Sequence, residues 1–248
     1  MLTLDSLVRE AEIAHGHVCA GQILGVRLAL FGLAKLGIDD PRGKDRKRLV
    51  TFVEIDRCAT DAIGVVTGCR MGKRALKFRD WGKMAATFVD LYTKSDCHPE
   101  RERGSEVEAL CGRQPAAEIP SASEGPDAVK DPYSLSGSQG QSTDSSHYYR
   151  AIRIAAKESS KKLAREMHPE IENKNQQQML AYREMTDDDL FTAEWVKVEL
   201  LPEEFPGYKA DRIVCAQCGE GINFHREVVR DGKILCRSCA GESYYSVL

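Results

Sequence analysis

Apolar side chains recur at helical spacing from the start of the chain. Leu4, Leu7, Val8, Ala11 and Ala14 share one face of residues 4–14, and Gly16 follows as a stop, which predicts an amphipathic helix. A second helix is expected from about Gly21 to Leu36, ended by Gly37. Residues 48–55 (RLVTFVEI) are rich in β-branched and aromatic side chains and read as a buried strand. Thr60 or Asp61 can then cap a short helix, DAIGVVTG. Strands are predicted near 74–79 and 85–92, with the turn-like Asp80-Trp81-Gly82-Lys83 between them.

The pattern breaks from Ser95 to His147. That stretch holds five of the nine prolines, many Ser and Gly, and few large apolar residues. It cannot bury enough surface to offset the entropy of ordering, so it reads as a disordered insertion at 95–147. Its two thiols, Cys97 and Cys111, are read as incidental. Alternation resumes at 149–155 (YRAIRIA). With the insertion looped out, ATFVDLYT and RAIRIA make the two arms of a hairpin. Helices follow from Ser159 or Ser160 to Met167 and from Asn175 to Met185, then a short turn at 187–190 and a strand at 193–200. Pro202 and Pro206 bracket an acidic linker. The expected architecture is α+β. A mixed helix and antiparallel-sheet core domain spans 1–94 and 148–201, and 202–248 form a linker and a small treble-clef or ribbon-like zinc finger.

Nine cysteines, an odd number, with no apolar leader at the N-terminus, point to a reducing cytoplasm and metal sites, not to a disulfide framework. The most apolar run, Val18 to Ile38, is broken by Gln22, Arg27 and Lys35, which argues against a membrane span. Cys215-x2-Cys218 and Cys236-x2-Cys239, separated by 17 residues, supply four thiolates for structural Zn2+. Between Asp211 and Glu242 five basic residues balance five acidic ones, and the whole chain carries a net charge of −3. Neither provides an electrostatic footprint for phosphates, so nucleic acid is not the expected partner. His225 is read as a surface residue outside the metal shell.

A second constellation sits near the N-terminus. His15, His17 and Cys19 lie in one glycine-bounded turn, with Cys19 at the start of a predicted helix, where orphan N–H groups favour a thiolate. Cys58 and Asp61 follow directly after the buried strand. His15, His17, Cys19 and Cys58 are the candidate ligands of a second transition metal. Cys19 or Cys58 with His17 and Asp61 are the candidate catalytic groups. Cys69 reads either as a further site thiol or as a buried apolar one. The basic run from Arg70 to Lys83 offers Arg70, Lys73 and Arg74 as a candidate anion site, set at the rim of the pocket.

These elements together resemble the FmdE family of formylmethanofuran dehydrogenase proteins. The matching text is HGHVCAG at 15–21, DRCATDAIGVVTGCRMGKRALKFRDWGKMAATF at 56–88 and DDDLFTAEWVKV at 187–198, with Ala20 where the family prefers proline. The finger spacing resembles the DksA/TraR type. The FmdE resemblance implies an α+β core, a C-terminal zinc finger, a homodimer, and a site built from His15, His17, Cys19 and Cys58, with Asp61 and Cys69 beside it. It also implies association with molybdenum or tungsten enzyme subunits. The leading function is therefore a metal-binding accessory protein that handles a small anionic or metal species. The alternatives are a small thiol-dependent redox or hydrolytic enzyme and a zinc-finger regulator binding protein or nucleic acid.

Overall fold

The computed structural model describes residues 3–94 and 148–246, so the expected insertion lies outside the described residues. Helix α1 (Leu4–His15) is capped by Thr3, whose hydroxyl accepts from the Ser6 N–H, and stops at Gly16 in the left-handed region. Its apolar face and that of α3 (Cys58–Thr67) flank the long α2 (Ala20–Leu36), which lies across the sheet. The sheet has five strands in the order β2-β1-β3-β4-β5. These are β1 (Leu49–Val53), β2 (Leu76–Phe78), β3 (Ala85–Lys94), β4 (Tyr148–Ala156) and β5 (Phe191–Glu199). All pairs are antiparallel except β1 with β2. Strands β2 and β3 are not hairpin partners: β1 lies between them, and the connection crosses its end, where Trp81 and Lys83 N–H groups donate to the Glu54 carbonyl. Strands β3 and β4 pair antiparallel, Ala85 opposite Ala155 and Val89 opposite Ala151.

Alternation along the strands sorts two cores. Leu49, Val53, Ala86, Phe88, Ile152 and Ile154 face the helices. Val50, Val89, Leu91, Tyr149 and Ala151 face the other way, where Leu200 and Phe205 from the linker cover them. The remaining helices, α4 (Ser159–Met167), α5 (Lys174–Glu184) and α6 (Asp187–Leu190), join the helical layer. Two buried carboxylates are held by bidentate arginines. Arg153 binds Glu54 at 2.8 and 2.7 Å, and Arg48 binds Asp90 at 2.8 and 2.6 Å. These hydrogen bonds are the main reason both guanidinium pKa values rise.

Cys69 is a core thiol, only 3% exposed, that accepts from the Thr51 hydroxyl at 3.5 Å. Burial pushes its thiol up, and burial does the same to the Tyr182 phenol. Such groups ionise first in the unfolded chain. Their stabilisation is complete below the unfolded value, near 9.0 for a thiol, and is lost as pH rises through the folded one. The melting temperature should therefore hold through pH 8 and fall above 9, and Cys69→Val should make that fall shallower. Parallel curves for the two proteins would show that Cys69 does not contribute. Among the described residues no helix is long and apolar enough to cross a membrane.

Candidate functional site

Three helix ends meet beside α2. The left-handed turn at Gly16 swings the chain from α1 into the His17–Cys19 segment, and Cys19 becomes the N-cap of α2 with its sulfur not bonded to the first turn. The Ala20 N–H donates to Asn175 Oδ1 at the start of α5, 3.1 Å away. Helix α3 begins at Cys58, earlier than the sequence pattern predicts. The Thr60 hydroxyl donates to the Ile55 carbonyl at 2.5 Å from inside the first turn, so it braces the loop instead of capping the helix. Asp61 then lies one turn beyond Cys58 on the same face. Its carboxylate meets His15 Nδ1 at 2.8 Å, and the His17 ring packs 4.8 Å from that of His15, centroid to centroid. A carboxylate only accepts, so Nδ1 carries the proton and Nε2 keeps its lone pair.

The two cysteines face each other over Gly21. A Cβ at Gly21 would lie 3.2 Å from Cys58 Cβ and 3.7 Å from Cys19 Sγ. Burial raises the Cys58 thiol pKa, and its hydrogen bond with Cys19 raises it further. Two supporting residues escape the sequence pattern. Gln22 is fully buried and donates from Nε2 to the Cys58 carbonyl at 2.8 Å, while its Oε1 has no partner among the described residues. A glutamine in the apolar run of α2 is the available signal. Asn175 carries none, because its role depends on where α5 packs.

The expected second metal centre is not assembled. Among the described residues, the four finger cysteines are the one set of three or more His, Cys, Asp or Glu ligands whose donor atoms all lie within 4.8 Å of one another. His15 is turned to Asp61, so one of its two ring nitrogens is already committed.

The finger is built from two short hairpins, β6 (Ile213–Val214) with β7 (Gly221–Ile222) and β8 (Val228–Arg230) with β9 (Lys233–Leu235), and a helical turn at 238–242. Gly219 takes φ 75°, which lets the chain reverse directly after Cys218. The Cys236 N–H donates to Cys215 Sγ at 3.2 Å and the Cys239 N–H to Cys236 Sγ at 3.4 Å. Tetrahedral zinc with bonds of about 2.3 Å needs sulfurs roughly 3.8 Å apart, and Cys218 and Cys236 are 3.8 Å apart. Backbone N–H donors, those of Cys218 and Cys236 foremost, bring Cys215 down to about 6, the thiolate form that a metal takes. The Cys239 thiol, hydrogen-bonded to Cys236, is held up at about 12, so zinc binding must release protons. The four thiols fit structural zinc. His225 is no ligand: its Nε2 meets the Tyr208 hydroxyl at 3.0 Å.

The family described as FmdE, molybdenum formylmethanofuran dehydrogenase operon, matches residues 14–113, and the prokaryotic dksA/traR C4-type zinc finger matches 210–245. The chain carries an FmdE domain followed by a four-cysteine zinc finger. The fold is that of an FmdE-like protein of tungsten formylmethanofuran dehydrogenase from Syntrophus aciditrophicus, with a TM-score of 0.52 over 98% of this chain and 95% of that one, at 17% identity. A curated relative from Archaeoglobus fulgidus, a probable S-adenosyl-L-methionine-binding protein, is 37% identical over 87 residues, 35% of this chain. The match spans only 24% of that relative's length.

The basic run of the FmdE domain lies mostly away from the cysteine pair. Arg70 follows the C-terminal end of α3, a helix of 10 residues and so about 14 Å from the Cys58 end. Its Nη1 donates to the Cys69 carbonyl, and Lys73 is exposed. Arg74, with φ 59°, stacks its guanidinium 4.0 Å over the Phe224 ring and donates to the Tyr208 carbonyl at 3.2 Å. Burial, then the Arg226 charge, lowers its pKa. Lys77 donates to the Glu204 carbonyl and Arg79 pairs with the Glu204 carboxylate, each at 2.6 Å. The run thus clasps the linker and the finger. Arg74→Ala should speed proteolysis within 202–212 and lower the finger's stability by about 1 kcal/mol, with zinc content unchanged. Unaltered cleavage would show that the stack holds nothing.

Proposed function

We propose that this protein is an accessory protein of a molybdenum or tungsten enzyme of the formylmethanofuran dehydrogenase type, acting as a cytoplasmic homodimer. In this reading the finger is a zinc-held structural element. The working site is the pocket of Cys19, Cys58, His15 and Asp61, with His17 beside it, and it handles a small anionic species. The observation that carries the reading is the convergence of these side chains within the stretch that matches FmdE. The starts of α2, α3 and α5 meet there, and their orphan N–H groups favour negative charge. The residues given to the anion by sequence pattern, Arg70, Lys73 and Arg74, have less support, because Arg74 is engaged with the finger.

The test is genetic and chemical. Deleting the gene in its host should lower both the activity and the metal content of the molybdenum or tungsten enzyme. The wild-type gene should restore them, and a Cys19→Ser/Cys58→Ser gene should not. Activity and metal content that ignore the deletion would end this reading. The curated relative's name makes S-adenosyl-L-methionine a second ligand for calorimetry against the purified chain.

A further inference from the structure

The neighbouring thiols support a chemistry that does not depend on the partner enzyme proposed above. Cys19 Sγ and Cys58 Cβ lie 3.7 and 3.2 Å from one point, the place of a missing Cβ on Gly21, so the two atoms are separated by no more than the sum of those distances. Only a glycine leaves that gap open. Neither cysteine is in a disulfide, and both are partly exposed. They belong to different helices, and those helices are locked together where Gly25 of α2 meets Ala59 and Ala62 of α3. The pair is therefore presented by a rigid frame 39 residues apart in sequence, not by a flexible loop.

We propose that Cys19 and Cys58 form a dithiol–disulfide couple that exchanges two electrons with an external disulfide. Cys19, the N-cap on the loop side of α2, attacks first. Its thiolate bonds to one sulfur of the external disulfide, the external S–S bond breaks, and the first thiolate leaves and takes a proton from solvent. Cys58, fixed in the first turn of α3 with its carbonyl bound by Gln22, then resolves. Its deprotonated sulfur bonds to Cys19 Sγ, the mixed disulfide breaks, and the second thiolate leaves with the proton that Cys58 gave up. The external disulfide gains two electrons, and the protein dithiol loses two. His15 Nε2, bare while Nδ1 is held by Asp61, is the nearby base for such protons.

The experiment uses the full chain with its finger loaded with zinc. Reduced protein is equilibrated without oxygen against mixtures of reduced and oxidised glutathione, quenched in acid, alkylated and mapped by peptide mass spectrometry. The expected product is a linked peptide pair joining Cys19 to Cys58, lighter by two hydrogens than the dithiol. Cys69 and the finger cysteines should alkylate as before. Cys58→Ser should trap glutathione on Cys19, and Cys19→Ser should lose most of the exchange. Wild-type protein whose two thiols stay alkylatable across the whole range, or that stops at the mixed disulfide, overturns the proposal whatever the variants do.

Discussion

Cys236→Ser should strip the finger of zinc and unfold it. Cys236 links the whole cluster: its N–H donates to Cys215 Sγ, its sulfur accepts from the Cys239 N–H, and it lies 3.8 Å from Cys218 Sγ. The apolar support is small, with Cys215, Ile222, Leu235 and Ala240 the buried residues of that cluster. Zinc in such modules supplies roughly 10–16 kcal/mol of apparent binding energy, far more than those side chains can offer. The variant should lose its zinc, and its two hairpins should become open to protease. The FmdE domain buries a separate and larger cluster through α1, α2, α3 and the sheet, so its own melting transition should remain. A chelator should reproduce the effect in the wild type, more readily at acid pH where thiols hold their protons. Unchanged zinc stoichiometry in Cys236→Ser would remove the metal assignment.

Much of this is legible in the sequence. Helical periodicity and closing glycines identify α1 and α2, because Leu7, Val8 and Ala11 bury one face and Gly16 and Gly37 take left-handed turns that few other residues accept. The four-cysteine spacing identifies the finger, since tetrahedral thiolate coordination demands two knuckles. What cannot be read is which polar groups will meet. His15 reads as a ligand by its neighbours in sequence, but α3 brings Asp61 to it from 46 residues away. The start of α3 is misplaced by pattern because Thr60 is a good cap by type, whereas here it braces Ile55. The basic run reads as an anion site because its partners, the Tyr208 and Glu204 carbonyls and the Phe224 ring, lie more than a hundred residues later. Long-range pairings of single polar groups have no periodicity to betray them.

Gly25→Val should damage both the fold and the site. Helices α2 and α3 cross so closely at this position that a Cβ would lie 2.5 Å from the Ala59 carbonyl oxygen, 2.7 Å from its Cα and 2.9 Å from the Ala62 Cβ. Two of those three atoms are backbone, so no side-chain rotation can relieve the clash. The helices must separate, which opens a gap along Ile23, Val26, Ala62 and Val66. Overpacking of this kind costs about 1–3 kcal/mol and more when backbone must move, and a branched side chain on a rigid crossing belongs at the upper end. The same crossing sets the distance between the starts of the two helices. Separation therefore moves Cys58 from Cys19 and loosens the Gln22 bond to the Cys58 carbonyl. A loss of about 3 kcal/mol or more in denaturant melts should come with loss of the Cys19–Cys58 link under glutathione, in molecules that remain folded. Gly25→Ala should show the same two effects in smaller measure. If stability falls while the two thiols still close on each other, the crossing is structural only and the cysteine pair is held by something else.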